Sequence, residues 1–496
     1  MPLRVREEGR MKRFVVVLFL SLVPVLGQSA PGPPGDLASR LADADRALKA
    51  GQLARAVELY EDVIALDYPN FRAHFGLGLA FFKAGKLKEA LFEFRQLTRL
   101  FPKRFEGWYN LGITQARLTN WKAAAEALAQ AVAVGREAKL PAPALRPAYL
   151  ALAEAYRKQG QPGLAAEVLS QAHRLLPDDL EVAYLLADAL AAADRGEEAI
   201  PYLYQVLAKR PDDVRAALLL ADVYVDQDLP ERAVRVLDRA LAATSDAKKR
   251  ARLVYKKALV LGSLGADKKE VEALLEQATQ ADPDLWQAHY DVGRLKLALG
   301  DAKGALHHFL LAYRESPSDP RVLLGLASAY DVLGKARDAY RMAKLASRAA
   351  KGPERIEALF LLGKSAYRIG AYAEAVNALK EVVKERPNDA DGWLWLGLAL
   401  YAGQDYGQAV RAFERAAQLD NRVEVVKNLG SAYLAAKRFS DAERVFTQIV
   451  LQNPNDAESW YHLGWALKAL GRDSEAKRAW KTALKLGYKP ARGLVR

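Results

Sequence analysis

Residues 457–485 read AESWYHLGWALKALGRDSEAKRAWKTALK, and their spacing decides the fold. Apolar side chains recur at three-and-four intervals through Trp460, Leu463 and Gly464. The run breaks near Gly471, and a second periodic run follows through Ala476, Trp480 and Ala483. Two such runs joined by a short turn predict an antiparallel pair of helices. The same residue types stand at Trp393, Leu396, Gly397, Ala409, Phe413 and Ala416, and again at Trp108, Leu111, Gly112, Ala124 and Ala131, offset by multiples close to 34. Working outward, units begin near residues 37, 71, 105, 146, 180, 214, 252, 286, 320, 356, 390, 423 and 457.

Each residue type has a physical reason. Gly78, Gly112, Gly293, Gly363, Gly397, Gly430 and Gly464 in first helices, and Ala90, Ala165, Ala199, Ala233, Ala305, Ala375 and Ala442 in second helices, are small enough for two helices to approach closely. Phe94, Phe309, Phe413, Phe446 and Trp480 fill the space between units. Prolines such as Pro102, Pro211, Pro317 and Pro454 stop second helices, and Asp178, Asp212, Asp319, Asp389 or Asp456 nearby can cap the next helix. No unit can bury both faces alone, so stability must come from stacking.

The pattern resembles the tetratricopeptide repeat family over about 450 of the 496 residues. That resemblance implies an all-α, right-handed superhelical solenoid of about thirteen antiparallel helix pairs, whose ordinary work is to bind proteins. Residues 37–138 are expected to hold repeats 1–3, 148–247 repeats 4–6 and 248–490 repeats 7–13, with 491–496 as a tail. The Pro-rich segment 139–147 and the stretch Ala243 to Arg252 lengthen the period and read as interruptions. Repeat seven is the weakest match: Leu259 stands at its tight crossing and Lys268-Lys269 replace apolar residues. In the first unit Arg40 and Asp43 replace the aromatic and the leucine, which suits a polar cap.

Composition narrows function. With no cysteine, disulfides, thiolate metal sites and cysteine nucleophiles are excluded. The net charge of +13 falls to +10 without residues 1–29, a mild bias toward acidic partners rather than a nucleic-acid signature. Lys12-Arg13 followed by the apolar run Phe14–Leu26, too short to span a bilayer comfortably, reads as a signal peptide over 1–29, starting at Met1 or Met11. An uncleaved inner-membrane anchor is the alternative. Residues 30–36 form a Pro/Gly linker. The expected location is the periplasm or cell envelope.

No motif for catalysis emerges. His74, His173, His289, His307, His308 and His462 are scattered, and His74 and His289 stand where other units carry Trp108, Tyr149, Trp393 or Trp460, so packing explains them better than metal binding. Leu362-Gly363-Lys364-Ser365 imitates the end of a phosphate-binding loop but lacks the earlier glycine, Ala358 standing there, and lies inside a helical pattern. Neither a catalytic residue, a metal nor a cofactor is expected.

The family resemblance further implies that first helices line a concave groove. It nominates Arg72, Phe75, Tyr109, Tyr184, Asp188, Asp222, Tyr290, Arg294, Phe360, Lys364 and Tyr461 as groove residues. The fifth place of successive units forms an apolar and aromatic ladder, with Lys256 at repeat seven, and Asp188, Asp222 and Asp226 make an acidic island in a mostly basic surround. Rings beside charges suit extended peptides or helices. The family's clamp for C-terminal carboxylates is not expected, because Asn110 and Asn428 lack its cationic neighbours. The expected function is an exported scaffold for protein partners in envelope assembly or secretion. A glycan-binding component of polysaccharide export is the alternative, and a second copy of the chain is a further candidate partner.

Overall fold

Residues 37–495 are described by the computed structural model, and they form twenty-six α-helices and one terminal 3-10 helix, with no strand among them. The expected signal peptide and linker lie outside the described residues. Helices alternate in thirteen pairs, and first helices begin at the expected residue in all but three repeats.

The three exceptions have one cause. The first helices of repeats four, seven and ten span Ala142–Lys158, Ala247–Ser263 and Gly352–Arg368, each 17 residues rather than 13. The extra residues of both interruptions are therefore largely helical. Pro143 and Pro353 sit in first turns, where the missing N–H would have had no intrahelical partner, so they start these helices instead of breaking them. Pro147 is accommodated inside its helix.

Repeat seven also shifts by one residue. Its first helix ends at Ser263 and the turn glycine Gly265 has φ 77°, in the place where Gly300 and Gly334 follow their own helices. Counting back from that turn, Ala258, fully buried, occupies the tight crossing, and Leu259 is only half-buried. The fifth place consequently belongs to Tyr255 and not to Lys256, so the aromatic ladder runs on through this repeat.

Packing follows a size rule. A Cβ added to Gly78, Gly293, Gly397, Gly430 or Gly464 would come within 2.9 Å of Phe94, Phe309, Phe413, Phe446 or Trp480, the large residue sixteen positions later. The small residue makes room for a ring as well as for a neighbouring backbone. Repeats four, five and six solve the same volume problem with Ala153 and Leu169, Ala187 and Leu203, and Ala221 and Leu237, all buried. Asp319, Asp389 and Asp456 cap their helices as expected, but in repeats five and six the caps are Asp179 and Asp213, each accepting from two backbone amides, and not the preceding Asp178 and Asp212, which stand one residue too early to reach the first free amides.

The described residues divide into two compact units that meet between Gly265 and Ala266. In the second, the 3-10 helix Lys489–Leu494 lies against the last pair: Ala491 is buried, and Tyr488, Leu494 and Val495 pack on the terminal core. The segment expected to be a bare tail thus covers apolar surface of the final repeat.

Candidate functional site

The inner face of each unit is built by first helices. In the first unit Leu37–Lys49 packs on Phe71–Lys83, and Val214–Asp226 on Ala247–Ser263. In the second, Pro320–Val332 packs on Gly352–Arg368, which packs on Ala390–Ala402. Successive second helices do not pack on one another to this extent. First helices crowd and second helices splay, which makes the first-helix face the concave one.

Fifth-place rings lie along that face and also wedge between its helices. Tyr109 is buried, which pushes its phenol up to about 12. Phe75, Tyr184, Tyr290, Phe360 and Tyr461 are half-buried, each keeping part of its surface toward solvent. Burial raises the Tyr184 phenol above its ordinary value, with the neighbouring Asp188 adding to the effect. Tyr290 packs on Phe309 at 5.9 Å between ring centres, and Tyr461 on Tyr488 at 5.0 Å.

The groove charges pair between neighbouring repeats and also within single helices. Arg72 reaches Asp45 at 2.6 Å, a carboxylate shared with the Tyr60 hydroxyl, which donates to its other oxygen. Arg215 bridges to Glu181 at 3.0 Å while its guanidinium stands 4.5 Å from the Tyr184 ring centre. Asp222 bonds Lys256. Arg157 is held by Glu154 at 2.7 Å, and burial raises the Asp188 carboxyl while the Arg157 charge opposes that rise. Arg294 lies 3.7 Å from Asp291 and 5.9 Å from the Tyr290 ring, which Arg321 approaches from the next repeat at the same distance. Most of the groove cations thus bind carboxylates outside the acidic island, and within the island Asp222 is bound by a lysine of the next repeat.

One cluster was not legible in the sequence. Lys364 and Arg368 both bind Asp331, Lys364 at 2.8 Å, and they stand 5.5 and 5.8 Å from the ring of Trp395, which meets Tyr367 edge-on. Trp395 occupies the sixth place of its unit, off the ladder that the repeat singles out. The structure gathers Tyr184 with Asp188 and Arg215, and Lys364 with Trp395. The other ring neighbours of Tyr461 are His462 and Trp465.

Side chains that could carry chemistry take structural parts. Trp108, Trp393 and Trp460 donate their indole N–H to the carbonyls of Pro102, Pro387 and Pro454 at 2.8–3.0 Å. His74 and His289 make the same bond through Nε2, to Tyr68 at 2.8 Å and Pro283 at 3.2 Å, which explains why histidine can stand for tryptophan there. No group of three metal-ligating side chains occurs among the described residues. Gly363 packs on Leu379 and the Ser365 hydroxyl donates to Leu361, so the loop-like motif is ordinary helix. Asn110 turns its amide to the Glu106 carbonyl, and Lys427, next to Asn428, is held by Asp456 and Glu458. An open groove of about 670 Å³ beside Trp108 and Tyr156 is lined by four glutamines, of which Gln115 is engaged by Asn120 and Gln159 by backbone carbonyls.

The tetratricopeptide repeat family matches residues 41–94, 146–189, 190–257, 270–320, 360–422, 400–463 and 433–492. Among curated proteins the chain is 28% identical over 242 residues to Superkiller complex protein 3 of Mus musculus, covering 45% of this chain and 15% of that one. It is 33% identical over 121 residues to the cytochrome c-type biogenesis protein CycH of Pseudomonas aeruginosa, covering 24% and 30%. It is 24% identical over 198 residues to the BBSome complex member BBS4 of Bos taurus, covering 39% and 37%. The chain thus spans 37% or less of the length of these relatives. A chain of the Cut9-Hcn1 hetero-tetramer of APC/C aligns over 93% of this chain and 96% of its own, at 15% identity and a TM-score of 0.37.

Proposed function

The chain belongs to the tetratricopeptide repeat family, whose solenoids are typically protein-interaction scaffolds rather than enzymes, and we propose that its concave first-helix faces hold extended peptides or helices of protein partners. The observation that carries this reading is the run of half-buried rings, two of them flanked by a cation from the next repeat, Tyr184 by Arg215 and Tyr290 by Arg321. A ring in that setting offers contact area at low entropy cost, and the adjoining ion pairs fix the register of whatever lies across it.

The proposed setting is a bacterial cell envelope, in assembly or secretion. Its supports are the charged and apolar signal-like residues 12–26 and the match to a protein named for cytochrome c-type biogenesis. A peptide library displayed against the chain lacking residues 1–29 tests the binding mode. Tyr184→Ala or Tyr290→Ala should weaken selected peptides at least tenfold, about 1.4 kcal/mol. If neither change matters, or if envelope polysaccharides bind and no peptide does, the peptide reading fails and glycan binding replaces it. Fractionation tests the location separately: a cytosolic protein retaining residues 1–29 would refute an envelope role.

A further inference from the structure

One outer helix differs from the inner face in having cations that form no ion pairs. The second helix of repeat nine, Ala336–Ala349, carries Arg337, Arg341, Lys344 and Arg348 against a single carboxylate, Asp338. Their 4-3-4 spacing places all four on one arc of the helix, opposite Ala339, Met342, Ala343 and Ala346, which are buried in the core. Lys344 is bound by Glu374 at 3.0 Å. Arg337, Arg341 and Arg348 are exposed and have no ion-pair or hydrogen-bond partner among the described residues, whereas most inner-face cations discussed above have one. The preceding outer helix, Ala302–Glu315, carries Lys303 and His307 at the places equivalent to Arg337 and Arg341, so the basic surface extends over two repeats.

We infer that this stripe is a second interaction surface, for an acidic helix of a partner protein lying along the outer face. Cations spaced four and three residues apart recur every ~5 Å along the axis, the spacing at which an opposing helix presents carboxylates at its own i, i+4 and i+7 places. Leu345, 39% exposed beside the stripe, and Leu310, 45% exposed on the preceding outer helix, offer such a helix an apolar seam. Other polyanions fit less well. The apolar face of Ala336–Ala349 is already committed to the core, so little is left to enter a lipid surface. Tyr340, on the same helix, is half-buried with its hydroxyl donated to Glu374, and Tyr330, which Arg341 also approaches, is half-buried, so neither ring is well offered to stack on bases.

The test uses the chain lacking residues 1–29 and a synthetic helical peptide with glutamates at 4-3-4 spacing and leucines beside them, measured by fluorescence anisotropy at low ionic strength. The expected result is saturable binding that Arg341→Glu with Arg348→Glu weakens at least tenfold. A peptide with lysines in place of the glutamates should prefer that charge-reversed protein. Circular dichroism checks that the exposed substitutions leave the fold intact, and Tyr184→Ala in the groove should not alter the result, which separates this surface from the peptide-holding face. The inference is overturned if a scrambled peptide of the same composition binds equally well. It is equally overturned if phosphatidylserine vesicles or a duplex oligonucleotide bind through these arginines and the helical peptide does not.

Discussion

The size rule of the core makes a quantitative prediction at Gly293. A methyl group placed there would lie 2.8 Å from Cδ1 and Cε1 of Phe309, which is fully buried. The ring has little room to retreat, because it is also packed against Gly325 of the next repeat, where an added Cβ would stand 2.6 Å from its Cε1. Gly293→Ala should therefore incur an overpacking cost of about 1–3 kcal/mol, offset by a gain of up to about 1 kcal/mol from replacing glycine inside a helix. A net loss of about 1–2 kcal/mol is expected. Phe309→Leu alone leaves a void beside two glycines and should also destabilise. Together the two changes recreate the alanine–leucine pair that stands at the same places in Ala187 and Leu203, so the double variant should be more stable than the sum of its parts by at least about 1 kcal/mol. Because repeat arrays need not unfold in one step, the assay is amide hydrogen exchange read repeat by repeat. Protection should fall in repeats eight and nine in each single variant and recover in the double. If Gly293→Ala raises protection, or costs as much in the Phe309→Leu background as in the native one, the glycine is not there to house the ring.

Two further outcomes follow from local geometry. Thr119 holds a left-handed φ of 61° at a helix-connecting turn where other repeats use glycine, as at Gly334 with φ 71°. Thr119→Gly should stabilise repeat three by up to about 1 kcal/mol and Gly334→Ala should destabilise repeat nine by a similar amount, both read as shifts in denaturant midpoint. In repeat eight, His308 faces His289 at 3.1 Å between Nδ1 atoms, with His307, Lys296 and Glu276 also nearby. Burial, and then the charges of His289, His307 and Lys296, lower the His308 imidazole from 6.5 to about 4. Its folded form therefore favours the neutral ring. The unfolded chain binds the proton first, so this contribution to stability is complete above pH 6.5 and is lost as pH falls toward 4. His308→Gln should flatten the fall of the unfolding midpoint over that interval, leaving the part due to His289, which burial also lowers. An unchanged pH profile would refute the role of His308.

Most of the fold was legible because a stacked array repeats its packing solution, and a solution repeated thirteen times stands out of sequence noise. Where reading and structure part, a proline or a turn is responsible. Pro143 and Pro353 look like breakers in isolation, yet a proline in the first turn loses no intrahelical bond, and only the helix around it distinguishes the two cases. Repeat seven slipped by one residue because its register was anchored on apolar positions that a Lys-rich helix blurs; Gly265, at the turn, would have anchored it correctly. The ladder of rings was visible because it depends on position within one unit. The charge pairs were not, because Arg215 with Glu181 and Lys364 with Asp331 join residues 34 and 33 apart, and whether such partners touch depends on how closely successive first helices approach. That approach decides the electrostatics of the whole inner face. Counted along the sequence, the groove is basic with an acidic island; folded, its cations largely meet carboxylates, and a ligand there must exchange internal ion pairs for its own, a trade of small net value at a solvated surface. Affinity on the inner face must then come mainly from the rings. Charge is left as a driving force on the outer helix, where Arg337, Arg341 and Arg348 form no ion pair with a neighbouring repeat.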